Sequence, residues 1–288
     1  MTKTSIEWAT DVWNPVTGCT KVSQGCKNCY AERIAERFWG ERKFTDVQLH
    51  PERLEDPLHW KKTRRVFVNS MSDLFHPDVP DIFINRLLYL MEVGAPQHQY
   101  LILTKRPDRM RNYFKGVSPA KNIWLGVSVE DQKTADERIP LLLQTPAAVR
   151  FVSAEPLLDP VDLSAYLPLA KSDIRGLVYS PVGGPFLDWI ICGGESGPHA
   201  RPMHPDWARS LRDQCFAAGV PFFFKQWGEW LPVSQSLHLS AGKIADVPYH
   251  CWDADPKPAS AHSVRVGKKA AGRLLDGREW NEYPGGEG

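Results

Sequence analysis

Alternation of short apolar runs with helical patterns is the feature of this sequence that most restricts its fold. Six runs, most of them rich in β-branched or aromatic residues, have the length and composition of buried strands; they cover residues 65–70, 100–104, 123–128, 149–153, 188–192 and 221–225. Between them, apolar residues recur at helical spacing, as at Phe83, Leu87 and Met91. Strands that alternate with helices are typical of a parallel sheet. The sequence therefore predicts an α/β fold.

Polar or ionisable residues follow each of these predicted strands directly. They lie at residues 70–73, 104–106, 128–130, 153–155, 193–196 and 225–227. In a parallel barrel the carboxyl ends of the strands share one face, and active sites are built there. Turns after strands are also polar for purely local reasons. The acids and lysines among these residues favour a functional face.

Three of the six cysteines, Cys19, Cys26 and Cys29, form a C-x6-C-x2-C group. In a reducing compartment such a group more often indicates metal or redox chemistry than a disulfide. Thiolates are the preferred ligands of iron–sulfur clusters, and three of them leave one iron of a 4Fe–4S cluster open for a substrate or cofactor. Gly18 and Gly25 each precede a cysteine, where close backbone approach or a positive φ is expected.

Two other interpretations of the cysteines remain open at this point. One is a structural zinc site of three cysteines and one histidine, with His50 or His76 as the fourth ligand. The other is a set of ordinary core cysteines. The sequence has no second C-x2-C pair and no histidine at the usual ligand spacing, so it favours the iron–sulfur cluster.

Composition limits the classes of partner. Lysine and arginine number 35 and aspartate and glutamate 34, so the net charge of +1 gives no global field for a long polyanion. A nucleic-acid partner would need a local patch. The apolar stretches are too short to span a membrane, and the N-terminal residues lack the apolar core of a signal peptide. We expect a soluble cytoplasmic protein with no membrane partner.

The cysteine segment also carries a resemblance to a known family. The run W-N-P-V-T-G-C-x6-C-x2-C-Y-A-E at residues 13–32 resembles the opening of a phage- and prophage-associated branch of the radical S-adenosylmethionine (SAM) enzymes. The resemblance continues through residues 69–75, 103–107, 126–130, 153–157, 193–197, 225–228 and 265–277. The wider superfamily has C-x3-C-x2-C, so the longer first gap is shared with the branch and not with the superfamily.

The resemblance implies a fold and a domain organisation. It implies a partial (β/α) barrel of about six to seven parallel strands, with the cluster in the loop after a first short strand near residues 11–16. This barrel would occupy residues 1–230. The sequence itself loses its clear period at residues 231–261, which are predicted to be irregular. Residues 231–288 are therefore predicted to form a small C-terminal extension, with a basic module at residues 262–280 that is predicted as a short helix and turn.

The resemblance also implies a chemistry and a set of roles. A 4Fe–4S cluster on Cys19, Cys26 and Cys29 would reductively cleave SAM to a 5′-deoxyadenosyl radical, which abstracts hydrogen from a substrate carbon. The electron would come from an external donor of the flavodoxin or ferredoxin type. Residues at strand ends would contact SAM, namely Ser70, Ser72, Asp73, Lys105, Ser128 and Glu130. Later strand ends would present the catalytic, substrate-facing residues Glu155, Glu195 and Lys225.

The substrate is the least constrained part of this interpretation. Phage association makes a modified nucleobase or nucleotide in DNA the first expectation, for instance in the isomerisation of a hypermodified thymine. The main alternative is a zinc-stabilised nucleic-acid-binding protein without catalysis. A third is a SAM-dependent methyltransferase that uses polar chemistry.

Overall fold

The structure is a computed structural model that describes residues 4, 6–168, 185–236, 248–252 and 262–286. The predicted irregular stretch at residues 231–261 therefore lies partly outside the described residues. None of the described helices is long and apolar enough to cross a membrane.

Strands and helices follow one another along most of the described chain. The strands are β1 (Asp11–Trp13), β2 (Val16–Thr17), β3 (Gln48–Leu49), β4 (Arg65–Val68), β5 (Gln99–Thr104), β6 (Ile123–Val129), β7 (Arg150–Ala154), β8 (Trp189–Gly193), β9 (Phe222–Gln226), β10 (Trp230–Pro232), β11 (Tyr249–Cys251) and β12 (His262–Arg265). The helices are α1 (Tyr30–Phe38), α2 (Asp81–Tyr89), α3 (Pro107–Tyr113), α4 (Gln132–Leu143), α5 (Pro205–Ala218) and α6 (Lys268–Ala271).

Seven of the strands form one sheet in the order β1-β4-β5-β6-β7-β8-β9. The pairs β1–β4, β4–β5, β5–β6 and β8–β9 are parallel. The sheet and its intervening helices form an α/β partial barrel, which confirms the predicted fold class. All six predicted strands are present within two residues of their expected bounds, because each is an apolar run that the sheet buries.

The predicted first strand is interrupted. Strand β1 ends at Trp13, and β2 begins only at Val16. Pro15 has no backbone N–H to donate to a ladder. The N–H of Val16 instead donates to the side-chain carbonyl of Asn69, at 3.2 Å. Strand β2 then pairs antiparallel with β3, away from the main sheet.

Contacts divide the chain into two compact units. The first comprises residues 1–128 and 136–152, and the second comprises residues 129–135 and 153–288. In the first unit, Gly126 on β6 faces the ring of Phe151, which a Cβ would approach to 2.5 Å. The predicted domain boundary at residue 230 falls inside the second unit, and a separate extension after it remains a prediction.

The second unit ends in a small antiparallel sheet of order β10-β12-β11. Residues 231–261 were predicted to be irregular, yet their described part includes most of β10 and the whole of β11. Strands β11 and β12 were not predicted, because each is short and lacks a clear alternation of apolar and polar residues. The predicted short helix of the basic module is present as α6, Lys268–Ala271.

Asp276 connects the segment after α6 to helix α5 through hydrogen bonds. Its carboxylate accepts hydrogen bonds from Arg209, at 2.8 Å, from Arg212, at 2.6 Å, and from the amide of Gln235, at 2.6 Å. Its backbone N–H donates to the Gln235 carbonyl at 2.7 Å. These contacts, with that from Arg209 first, hold the pKa of the Asp276 carboxyl well below its usual range.

We expect Asp276→Asn to lower the free energy of unfolding by about 1 kcal/mol at neutral pH, a value that allows for the exposure of the side chain. Asn tolerates the left-handed backbone that Asp276 adopts at φ +53°, so the variant removes the charge and one acceptor oxygen without straining the backbone. Because the folded pKa is lowered, the wild-type advantage should be present at pH 7 and shrink below about pH 4. Urea unfolding at several pH values measures it.

Asp213→Asn is the matched control, since Asp213 also pairs with Arg212 but is largely exposed. Its effect should be smaller than that of Asp276→Asn. Equal effects of the two variants at pH 7, or a difference that persists unchanged at pH 3, would contradict this account of Asp276.

Candidate functional site

The three clustered cysteines lie on the loop that connects β2 to α1. Cys26 ends a single 3-10 turn, Gln24–Cys26, and Cys29 directly precedes the first residue of α1. All three are free thiols of intermediate exposure. Within the described residues, no three His, Cys, Asp or Glu side chains are arranged as a ready-made site for a metal ion.

The start of this loop requires a glycine. Gly18 has φ +95°, and a Cβ there would lie 2.6 Å from the backbone oxygen of Asp46. The N–H of Cys19 donates to the carbonyl of Phe44 at 2.9 Å, so the loop follows the segment before β3 closely. The positive φ expected before a cysteine is therefore found at Gly18 but not at Gly25, which lies inside the 3-10 turn.

Arg106 connects the cysteine loop to the end of β5. Its Nη1 donates to Sγ of Cys19, at 3.5 Å, and to the Asp73 carboxylate, at 3.0 Å. Its Nη2 donates to the backbone and hydroxyl oxygens of Thr20, both at 2.9 Å. Sequence reasoning gave Arg106 no role, although it belongs to the polar group at residues 104–106 that follows β5.

Asp73 is buried, with 5% of its surface exposed. Its Oδ1 accepts from the N–H of Phe75, at 3.0 Å, and from the hydroxyl of Thr104, at 2.7 Å. Its Oδ2 accepts from the N–H of Lys105, at 3.1 Å, and from Arg106. A carboxylate has about four acceptor sites, so donors of the protein occupy all of them. Contact with the ammonium group of SAM stays a prediction and would require one of these bonds to exchange.

Ser70 and Ser72 join the loop after β4 to the segment after β1. The hydroxyl of Ser70 donates to Asn14 at 3.2 Å, and that of Ser72 donates to the carbonyl of Val16 at 2.9 Å. Tyr30, the first residue of α1, donates to the carbonyl of Ser70 at 2.6 Å. These bonds position the two segments that flank the cysteine loop.

The environment of Cys19 favours the protonated thiol. Burial and the nearby Asp73 carboxylate raise its pKa to about 11, and Arg106 only partly opposes them. Thiolate is the form that binds metals. Metal binding at Cys19 would therefore release a proton at neutral pH.

The two histidines considered as zinc ligands are both engaged. Nε2 of His76 contacts the hydroxyl of Thr20 at 2.9 Å, and its Nδ1 accepts from the N–H of Asp78 at 3.2 Å. His50 contacts the hydroxyl of Thr17 at 2.8 Å through Nε2 and Glu52 at 3.0 Å through Nδ1. In this structure both ring nitrogens of each histidine contact other groups of the protein.

The remaining predicted SAM contacts lie at the ends of β5 and β6. The side chain of Lys105 is half-buried after β5, and Ser128 and Glu130 are buried at the end of β6. The carbonyl of Ser128 accepts from Arg138 at 2.7 Å, and the carbonyl of Glu130 accepts from the N–H of Leu158 at 2.8 Å. Their contacts with SAM stay predictions.

In the second unit, Glu155 and Lys225 form an ion pair across the ends of β7 and β9. Nζ of Lys225 donates to both carboxylate oxygens, at 2.6 and 2.8 Å, and the amide of Gln226 donates to one of them at 3.2 Å. Their side chains are 19% and 11% exposed. Two of the three predicted substrate-facing residues thus lie together.

Glu195 has a different partner. It is buried, and its carboxylate accepts three hydrogen bonds from Arg201, from the backbone N–H at 2.8 Å, Nε at 3.0 Å and Nη2 at 2.7 Å. Sequence reasoning missed Arg201, which follows Glu195 by six residues in a stretch without periodicity.

Gly194 and Gly228 allow two backbone segments to cross closely. A Cβ on Gly194 would lie 2.1 Å from the carbonyl oxygen of Trp227, and one on Gly228 would lie 2.0 Å from that of Glu195. At Gly194, the first residue after β8, the close approach is therefore made by the backbone of Trp227.

A family model described as "Protein of unknown function (DUF5131)" matches residues 3–284. The chain belongs to the DUF5131 family. No curated protein matches the sequence. Among solved structures, a mutant of spore photoproduct lyase aligns with 88% of this DUF5131 chain and 67% of its own, at 11% identity and a TM-score of 0.39.

We expect Glu155→Gln to lower the free energy of unfolding of this DUF5131 protein by about 2–3 kcal/mol. The variant leaves the Lys225 ammonium buried without a counter-charge, which costs more than the pair itself contributes. Adding Lys225→Met should recover part of the loss. Urea unfolding of the single and double variants measures both effects.

Asp81→Asn is a suitable control, because Asp81 pairs with Arg109 but its side chain is 69% exposed. Its effect should stay below about 1 kcal/mol. An unchanged unfolding midpoint for Glu155→Gln would show that the buried pair does not stabilise the fold.

Proposed function

We propose that this protein is a radical SAM enzyme that holds a 4Fe–4S cluster on Cys19, Cys26 and Cys29. The observation that carries the proposal is the presence of three free thiols on one loop after the first parallel strand, with a guanidinium N–H directed at one of the sulfurs. This arrangement agrees with the resemblance of residues 13–32 to one branch of that superfamily. DUF5131 membership and the partial barrel are compatible with the proposal.

The donor set of the loop fits such a cluster. Three cysteines supply soft thiolate ligands for three irons, and a fourth iron is left for SAM. Arg106 supplies a positive charge and an N–H donor beside Cys19, which offsets part of the negative charge of a thiolate cluster. When bound, the cluster and SAM together supply a radical that abstracts hydrogen from an unactivated carbon.

The residues of the chain would bind, orient and shield these groups. In the proposal, Ser70, Ser72, Asp73 and Lys105 lie where the methionine part of SAM binds, and Ser128 and Glu130 lie where its ribose binds. The hydrogen bonds of Ser70, Ser72 and Asp73 within the protein keep the surrounding loops in place. Such fixed surroundings lower the cost of ordering a ligand.

Glu155, Glu195 and Lys225 are proposed to act on the substrate side. Nζ of Lys225 donates to both carboxylate oxygens of Glu155, so the pair is suited to hold or move a proton at Nζ or at a carboxylate oxygen. Glu195 is held rigidly by Arg201 and is suited to orient a polar substrate group. We propose a nucleobase or nucleotide of DNA as substrate, isomerisation as one outcome, and a flavodoxin or ferredoxin as electron donor in the cytoplasm.

Anaerobic reconstitution with iron and sulfide tests the cluster. We expect a brown protein with about four irons per chain that cleaves SAM to 5′-deoxyadenosine when dithionite is added. Replacing Cys19, Cys26 or Cys29 by Ala should abolish cleavage, while Cys251→Ala, a half-buried cysteine outside the loop, should retain it. Mass spectrometry with nucleosides and phage DNA would then reveal an altered product.

Two outcomes would overturn this proposal. One is a colourless protein with about one zinc per chain, which is the result for a zinc-stabilised nucleic-acid-binding protein. The other is SAM-dependent activity that survives all three cysteine substitutions, which is the result for polar methyl transfer.

Arg106→Gln should shift the reduction potential of the cluster to a more negative value. The variant removes a positive charge and a hydrogen bond to a ligand sulfur, and both favour the more negatively charged reduced cluster. Arg106→Lys should give a smaller shift, because it keeps the charge. Redox titration followed by electron paramagnetic resonance measures the potential, and equal potentials in all three proteins would exclude this role.

A further inference from the structure

A cavity in the first unit has a chemistry that the proposed cluster does not use. Its volume is about 400 Å³, within the range of small-molecule sites. Its walls come from the segments after β1 and β4, from α1 and the turn beyond it, and from the segment after β3. The lining residues are Asn14, Thr17, Ile34, Trp39, Arg42, His50, Arg53 and Met71.

Two guanidinium groups are fixed in the wall of this cavity. Nη2 of Arg42 donates to the carbonyl of Thr17, at 3.0 Å, and to that of Asp46, at 2.6 Å. Nη1 of Arg53 donates to the carbonyl of Asn14 at 3.1 Å. Each guanidinium carries five N–H donors, so these bonds leave further donors available to a ligand. A guanidinium group favours phosphate, which it can bind in a bidentate manner.

The charge of the lining is positive. No Asp or Glu is among the lining residues, although the Asp46 carboxylate lies close enough to act on Arg42. Burial lowers the pKa of His50, so that residue is neutral at pH 7. Glu52 contacts His50 and lies 3.6 Å from Arg53, but its side chain is 65% exposed. A cationic ligand, such as one that carries a sulfonium, is therefore disfavoured here.

The cavity also offers flat and apolar surface. The guanidinium of Arg42 lies over the ring of Trp39, 4.1 Å from its centroid, and Ile34 and Met71 are the apolar side chains of the lining. Nucleobases stack on aromatic rings and on guanidinium planes. A ligand with both a phosphate and a planar base would satisfy both parts of the lining.

We propose that this cavity binds a nucleotide, with Arg42 and Arg53 on its phosphate and Trp39 beside its base. The ligand is either a free nucleotide or one nucleotide of a single strand, since the two share this chemistry. The site does not depend on the iron–sulfur cluster, and it is expected to bind its ligand in cluster-free protein.

Binding to full-length, cluster-free protein tests the proposal. Calorimetry with dTMP and AMP should show binding, while thymidine and adenosine, which lack the phosphate, should bind at least about tenfold more weakly, or roughly 1.4 kcal/mol. Inorganic phosphate should also bind more weakly than the nucleotides. A short oligothymidylate serves as the second arm: tighter binding of the oligomer than of dTMP assigns the site to a nucleic-acid strand.

The variants Arg53→Gln and Arg42→Lys should each weaken nucleotide binding by about tenfold or more. Arg37→Gln is the matched control, because Arg37 is an exposed arginine of α1 that does not line the cavity. Arg53→Lys keeps the charge but not the bidentate geometry, so it should weaken nucleotide binding by an intermediate factor. It also provides a second test of Arg53 if the Arg53→Gln variant does not fold. Thermal unfolding verifies that each variant is folded.

Three results would overturn the proposal: equal binding of nucleotides and nucleosides, unchanged binding in the folded Arg53→Gln and Arg42→Lys variants, or no binding of any nucleotide or oligomer. Phosphate that binds as tightly as dTMP would show a simple anion site without base recognition. Because the assay uses cluster-free protein, none of these outcomes depends on whether the protein is a radical SAM enzyme.

Discussion

The buried carboxylate of Asp73 is the interaction on which the arrangement of the first unit depends. It accepts from Thr104 and Lys105 after β5, from Phe75 in its own loop, and from Arg106, which also reaches Cys19. One charge thus fixes two strand-end loops and orients the guanidinium beside the thiol. Loss of the carboxylate would leave Arg106 without its buried counter-charge, and such a loss is among the more costly changes in a protein interior.

The strands and their polar carboxyl ends could be predicted from the sequence, because apolar runs and turn residues are local signals. The partners of those polar residues could not be predicted. Arg106 reaches a thiol 87 positions away, and Lys225 reaches a carboxylate 70 positions away. Such pairs depend on the three-dimensional crossing of loops. Strands β11 and β12 were also missed, because strands of three or four residues carry little periodicity.

The cysteine loop and the nucleotide cavity that we propose share their supporting residues. Asn14 accepts a hydrogen bond from Ser70 and, through its carbonyl, one from Arg53 of the cavity. The carbonyl of Thr17, two residues before Cys19, accepts from Arg42. A ligand that shifts either guanidinium would therefore also shift the backbone that leads into the cysteine loop.

The close crossing of the backbone at Gly194 and Gly228 restricts the substitutions that this part of the chain can tolerate. At each position the obstacle to a larger residue is a main-chain carbonyl, at 2.1 and 2.0 Å from a Cβ. A neighbouring side chain can shrink or rotate to accommodate a new methyl group, whereas a carbonyl moves only if its whole peptide moves. No single compensating substitution elsewhere can therefore rescue an alanine at either glycine, and the two positions should vary only by a joint rebuilding of both loops.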